Sequence, residues 1–170
     1  MVVGRNPLAA EDQAVSLPDG SVALVRVHPF RVDWRDPDGQ WREGEPLPFP
    51  RQELTKAEQC FAMERTYLAT TPCDPSVLPG WPENIPPFLT SLLPPPSIMA
   101  APGGHVLIRR TPTQSLGKNR YDVVDRRGDL AAVIFLDENQ AFIGRGESSV
   151  YVVETDEVGL QTLLRIPWTF

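Results

Sequence analysis

Short runs of apolar residues, many alternating with polar ones, fill the chain on either side of a central proline-rich stretch, and glycine-bearing turns separate them. The runs are too short for helices and rich in Val, Leu, Ile, Tyr and Trp, so they read as β-strands. Two stretches repeat. Arg31-Val32-Asp33-Trp34-Arg35-Asp36-Pro37-Asp38-Gly39 aligns without gaps with Arg120-Tyr121-Asp122-Val123-Val124-Asp125-Arg126-Arg127-Gly128. Arg, two Asp and Gly share the same offsets. Upstream, Leu17 to Arg26 aligns likewise with Ala101 to Arg110. Each unit therefore runs strand, glycine turn, strand, loop, strand, glycine turn, strand, which is a four-stranded antiparallel meander.

The turns carry the glycines because some of their positions need positive φ. Asp19-Gly20 and Gly103-Gly104 read as two-residue hairpin connections. Asp36 to Gly39 and Asp125 to Gly128 read as type I turns closed by a left-handed glycine, with Asp36 and Asp125 accepting from backbone N–H groups. A third unit has strands at Gln140–Gly146, Val150–Thr155 and Leu160–Trp168, a turn at Glu147-Ser148-Ser149, and no fourth strand.

The stretch between the first two units is different. Thr55-Lys56-Ala57-Glu58 has the spacing of a reciprocal capping box and predicts a helix from about Lys56 to Ala69, with an apolar stripe of Ala57, Cys60, Phe61 and Leu68, joined by Met63 and Tyr67. Nine prolines then fall between Pro72 and Pro96, which excludes regular helix and central strand. Val77, Leu78, Trp81, Ile85, Phe88, Leu89, Leu92 and Leu93 are too apolar for a solvated linker, so this segment is expected to pack on the β structure through Trp81 and Phe88. The expected division is a first blade-like unit at 1–48, an insert at 49–97, a second unit at 98–136 and an incomplete third at 137–170.

Composition adds mainly exclusions. The chain has 170 residues, 41% of them hydrophobic, and a chain of this size buries about 70% of its unfolded surface, enough for one substantial core. No run approaches the ~20 apolar residues of a membrane span, and Met1 to Ala10 lacks the pattern of a secretory signal. A net charge of −6 with an isoelectric point near 4.9 argues against nucleic-acid binding, which needs a concentrated basic face.

Candidate chemistry is sparse. His28 and His105 have no metal-ligand spacing around them, so no metal, cofactor or catalytic residue is predicted. Asp33 and Asp122 alternate with Arg31 and Arg120 on strand faces, where opposite charges pair. Gly144-Arg145-Gly146 has no following helix and is not a phosphate loop. His105 replaces the Ser21 of the first unit, a unit-specific change that hints at a binding face. Between His105 and Gly128 six cations face two acids, whereas between Asp129 and Glu157 seven acids face Arg145 alone. His105, Arg109 and Arg120 are therefore the candidate ligand-binding residues.

Four-stranded units punctuated by paired-glycine or Asp-Gly turns resemble the blades of a β-propeller. Pro18-Asp19-Gly20, Phe30-Arg31-Val32-Asp33-Trp34, Trp81-Pro82-Glu83, Pro86-Pro87-Phe88 and Arg120-Tyr121-Asp122-Val123 together resemble the C-terminal half of bacterial six-bladed, NHL-like propeller proteins. The resemblance implies a mainly β fold: a partial β-propeller of about three antiparallel four-stranded blades with one helical, proline-rich insert. It also implies a non-enzymatic recognition or scaffold module that binds a protein partner or small ligand on a ring face. The other reading is a hydrolase or lyase domain in which His28 or His105 meets loop carboxylates at the axis. Three blades leave open flanks, so the expected completion is a homodimer or a missing N-terminal half. Proteins of this kind are often exported. In that setting Cys60 and Cys73 would be able to bridge, although two independent thiols is the plainer expectation.

Overall fold

The computed structural model describes residues 6–67, 73–78, 80–90 and 95–170. The expected helix end at Ala69 lies outside them, as do Leu68, Pro72, Pro79, Leu92, Leu93 and Pro94.

The protein is mainly β. Strands β1 (Gln13–Ser16), β2 (Val22–Arg26), β3 (Arg31–Arg35) and β4 (Trp41–Arg42) form the first sheet in chain order. Strands β5 (Ile98–Ala100), β6 (Val106–Arg109), β7 (Asn119–Val124) and β8 (Leu130–Leu136) form the second in the same order. Strands β9 (Gln140–Arg145), β10 (Ser149–Thr155) and β11 (Gln161–Pro167) form a third, three-stranded sheet with β10 in the middle. Every neighbouring pair is antiparallel.

The repeat extends to the hydrogen bonds, with one correction to the expected turns. Ser16 pairs with Val22 and Ala100 with Val106, so five residues, not two, join each first hairpin. Leu17 N donates to Ser21 O at 2.9 Å and Ala101 N to His105 O at 2.8 Å, while Gly20 and Gly104 have φ of 86° and 78°. A proline at the second loop position in each unit fixes φ and lengthens the turn beyond a two-residue hairpin.

The later Asp-x-x-Gly turns occur three times. Gly39, Gly128 and Gly159 donate to the carbonyls of Asp36, Asp125 and Asp156 at 2.9, 3.0 and 3.0 Å. The carboxylates of Asp125 and Asp156 accept backbone N–H groups within their turns, from Arg127 and Asp129 and from Val158 and Leu160. Asp36 departs from this role. Its oxygens hold the Arg42 guanidinium at 3.2 Å, and Asp38 accepts the Gln40 amide instead.

Strand alternation sends successive side chains of the second sheet to opposite faces. Ile98, Ala100, Val106, Ile108 and Val124 pack with Ala23, Val25, Val32 and Trp34 of the first sheet. Met99, Leu107, Tyr121, Val123 and Leu136 pack with Phe142, Val150 and Val152 of the third. The second sheet is thus covered on both faces and the other two on one.

The insert contains helix α1 (Lys56–Tyr67). Thr55 Oγ1 accepts the Glu58 N–H at 3.3 Å, as a cap should, but Glu58 does not close the capping box; it reaches across to accept the Gln114 N–H at 3.1 Å. Among the helix side chains that are described, Ala62 and Met63 are buried, Met63 as expected, whereas Ala57 is exposed and Cys60 and Phe61 are partly buried. Cys60 forms a disulfide with Cys73, beside which Met63 Sδ lies 3.8 Å from Cys73 Sγ. The bridge replaces the expectation of independent thiols.

The proline-rich segment is held through its carbonyls. Arg110 Nε donates to Pro87 O at 2.9 Å, Thr111 Oγ1 to Pro86 O at 2.5 Å and Thr111 N to Pro87 O at 3.2 Å. Phe88 is fully buried beside Phe30. Trp81 has a different role from the one expected. It remains partly exposed, and its indole N–H bonds Pro75 O at 2.9 Å, tying the insert to itself. No helix among the described residues is long and apolar enough to cross a membrane.

Candidate functional site

The repeated arginines and aspartates build one motif twice. Arg26 ends β2 and Asp33 sits on neighbouring β3, so that Arg26 Nε reaches Asp33 Oδ2 at 2.9 Å while Arg31 Nε lies 2.9 Å from Oδ1. In the second sheet Arg110 Nη1 reaches Asp122 Oδ2 at 2.6 Å and Arg120 Nε reaches Oδ1 at 2.9 Å. The pairing of Arg31 with Asp33 and of Arg120 with Asp122 follows from the sequence; the cross-strand arginines do not. Burial works against charge on Asp33, but hydrogen bonds from Arg26, the Gly44 amide and Arg31 outweigh it and lower its pKa. With both carboxylates engaged by two guanidiniums, neither is a free general base.

The candidate residues do not converge. His105 lies in the loop before β6, with Nδ1 3.0 Å from Pro102 O and its ring 5.9 Å from that of Trp168. Arg109 is the last residue of β6, four positions further along the chain, and donates to Asn119 Oδ1 at 2.9 Å. Burial pulls its pKa down. Arg120 turns to the opposite face of the sheet, towards Asp122, and lines a cavity of about 220 Å³ with Phe49, Ile85, Pro86 and Thr111. His28 lies between β2 and β3, at the other end of its sheet from the Leu17–Ser21 loop. Among the described residues no group of three His, Cys, Asp or Glu side chains comes together in a way that would hold a metal ion.

A larger cleft opens where the turns of all three sheets gather. It encloses about 430 Å³ between Pro18 and Asp19 of the first sheet, Ala101 to Gly104 and Arg126 of the second, and Arg145 and Glu147 of the third. Arg126 occupies the turn position of Pro37 in the first unit, and from there crosses to the first sheet. Its Nη1 donates to Ser21 Oγ at 2.7 Å, Nη2 pairs with Asp19, and Cζ lies 5.2 Å from the Trp34 ring centre. Hydrogen bonds from Ser21 and Arg126 hold the Asp19 carboxyl at a pKa of about 2.

Arg145 ends β9 on the rim of this cleft, exposed and in no ion pair among the described residues. The sequence shows Arg126 only as one cation in a basic run and Arg145 only as part of a Gly-Arg-Gly triplet. The signal for Arg126 was the exchange of both central turn residues, Pro37 and Asp38, for the cations Arg126 and Arg127, which does not separate the one that crosses to the first sheet from the one that does not. No protein-family model, curated protein or solved structure matches this chain.

Proposed function

We propose that the chain is a non-enzymatic recognition module of β-propeller type, its three sheets being successive blades, and that it binds a small ligand or protein segment carrying an anionic group in the 430 Å³ cleft at the turn end of the sheets. The carrying observation is Arg145, an unpaired guanidinium on the rim of a cleft to which all three sheets contribute. The volume falls in the usual range for ligand sites. Pro18, Ala101 and Pro102 supply an apolar wall, and the pre-formed Arg126–Asp19–Ser21 contact fixes the opposite side without rearrangement.

The blade reading is supported by the repeated meander, the repeated turn hydrogen bonds and the face-to-face packing of consecutive sheets. In a cleft with no histidine in its lining, recognition is favoured over acid–base chemistry.

Citrate is a direct probe. Because Arg126 stacks over Trp34, anion binding in the cleft is expected to change tryptophan fluorescence saturably, and Arg145→Ala is expected to weaken binding at least tenfold without altering the melting temperature. A flat titration of the wild-type chain, or equal affinity in the variant, overturns the proposal.

A further inference from the structure

The two outer sheets end the stack with unlike faces, and each matches one half of the packing already present inside the chain. By the repeat, Val22, Leu24, Arg26, Arg31 and Asp33 on the outer face of the first sheet stand where Val106, Ile108, Arg110, Arg120 and Asp122 stand in the second. In the second sheet this face is covered by the first sheet and its following segment: Val106 and Ile108 are completely buried, and Arg110 lies 4.8 and 4.6 Å from the ring centres of Phe30 and Phe49. In the first sheet Val22 and Leu24 are only partly buried and the Arg26 side chain is 37% exposed. By the same repeat Arg35 stands where the buried Val124 does and Trp41, 53% exposed, where Leu130 does, while Asp33 stays buried beneath Arg26, Arg31 and the Gly44 amide, so the counterpart face is only partly covered and carries one cation more.

The opposite end carries the complementary half. Val150 and Val152 face inward, so alternation turns Tyr151 and Val153 outward, and the β10–β11 register places Leu163 beside Val153. Leu163 is 60% exposed and Ile143 40%. This is the same kind of surface as the one the second sheet presents to the third through Leu107, Tyr121 and Val123.

We infer that the outer face of the first sheet is a docking surface for the outer face of the third sheet in a second copy of this chain, continuing the stack head to tail. A second copy fits because this chain carries counterparts of both halves of a contact it already makes internally, at opposite ends of one series of sheets. Each mixes apolar side chains (Val22, Leu24 and Trp41; Val153, Leu163 and Ile143) with charged ones (Arg26, Arg31, Asp33 and Arg35; Arg165). An interface between unlike patches is heterologous, so it closes into a ring or propagates. The inference stands apart from the cleft and from citrate binding.

Light scattering coupled to size exclusion tests it with the full chain. The wild type is expected at twice 18.9 kDa or above at tens of micromolar, with Leu24→Glu and Leu163→Glu each running as monomers. Mixing the two variants is expected to restore a one-to-one pair, because each retains the face the other has lost. A wild-type monomer overturns the inference, as does disruption by only one of the substitutions or a mixture that stays monomeric. Thermal unfolding monitors each variant; should Leu24→Glu fail to fold, Arg26→Glu alters the same face from a partly exposed position and must give the same loss and rescue.

Discussion

Arg110 Nη1 and Asp122 Oδ2 stand 2.6 Å apart with side chains only 7% and 1% exposed, while the equivalent pair, Arg26 and Asp33, keeps 37% of the arginine in solvent. The same contact made at two depths gives an internal comparison. Removing a carboxylate from the deeper pair leaves a buried, unpaired guanidinium, whereas Arg26 keeps Asp12 and access to water. Asp122→Ala is expected to cost about 3–5 kcal/mol and Asp33→Ala less, about 1–3 kcal/mol because the buried Gly44 amide loses its acceptor, measured by urea denaturation. Equal losses would contradict the difference in burial.

Gly44 and Gly159 separate steric contact from backbone strain. A Cβ on Gly44 would lie 2.1 Å from the Val32 carbonyl oxygen, and the Gly44 amide also donates to Asp33 Oδ1 at 3.2 Å. Gly159 has φ of 85°, and a Cβ added there would meet nothing within 4 Å. Gly159→Ala should therefore cost only the left-handed strain of about 1–2 kcal/mol, and Gly44→Ala about 3 kcal/mol. Denaturation midpoints of the two variants rank them directly.

Phe88 and Trp81 make a similar contrast within the insert. Phe88→Ala empties a fully buried site beside Phe30 and is expected to cost about 3–5 kcal/mol. Trp81→Ala removes a partly exposed ring and one bond to Pro75 O, so it should cost much less in the same measurement.

The Cys60–Cys73 bridge closes a short loop, with 13 residues of sequence separation. Loop-closure entropy on this scale is worth about 3 kcal/mol, so reduction should lower the melting temperature and the Cys60→Ser, Cys73→Ser double variant should match the reduced protein. Unchanged melting on complete reduction would show the bridge to be irrelevant to stability.

Acid should weaken the Leu17–Ser21 turn and, with it, the Arg126 contact that the turn holds. The Asp19 pKa is lowered from 3.8 to about 2 by Ser21 and Arg126, so its contribution is present above pH 3.8 and disappears as pH falls towards 2. Chemical denaturation between those values is expected to show stability falling with pH, with a shallower slope in Asp19→Asn.

The sequence by itself determined the repeating unit. Alternating strands and matched glycine turns are local devices, which is why two four-strand meanders, the three-stranded third sheet and the start of the helix at Lys56 were all legible in it. An Asp-x-x-Gly signal at Asp156 to Gly159 was equally local, and marks the third repeat of the same turn. Tertiary structure decided which faces of those strands meet and which long side chains cross between sheets. Arg126 reaches Asp19 over 107 positions, and Glu58 leaves its own helix cap for Gln114, 56 positions away. The cleft likewise exists only where turns from all three sheets meet. Strand periodicity fixes which face a side chain takes, but it carries no information about what lies opposite that face; packing supplies the partner and excludes water from the contact.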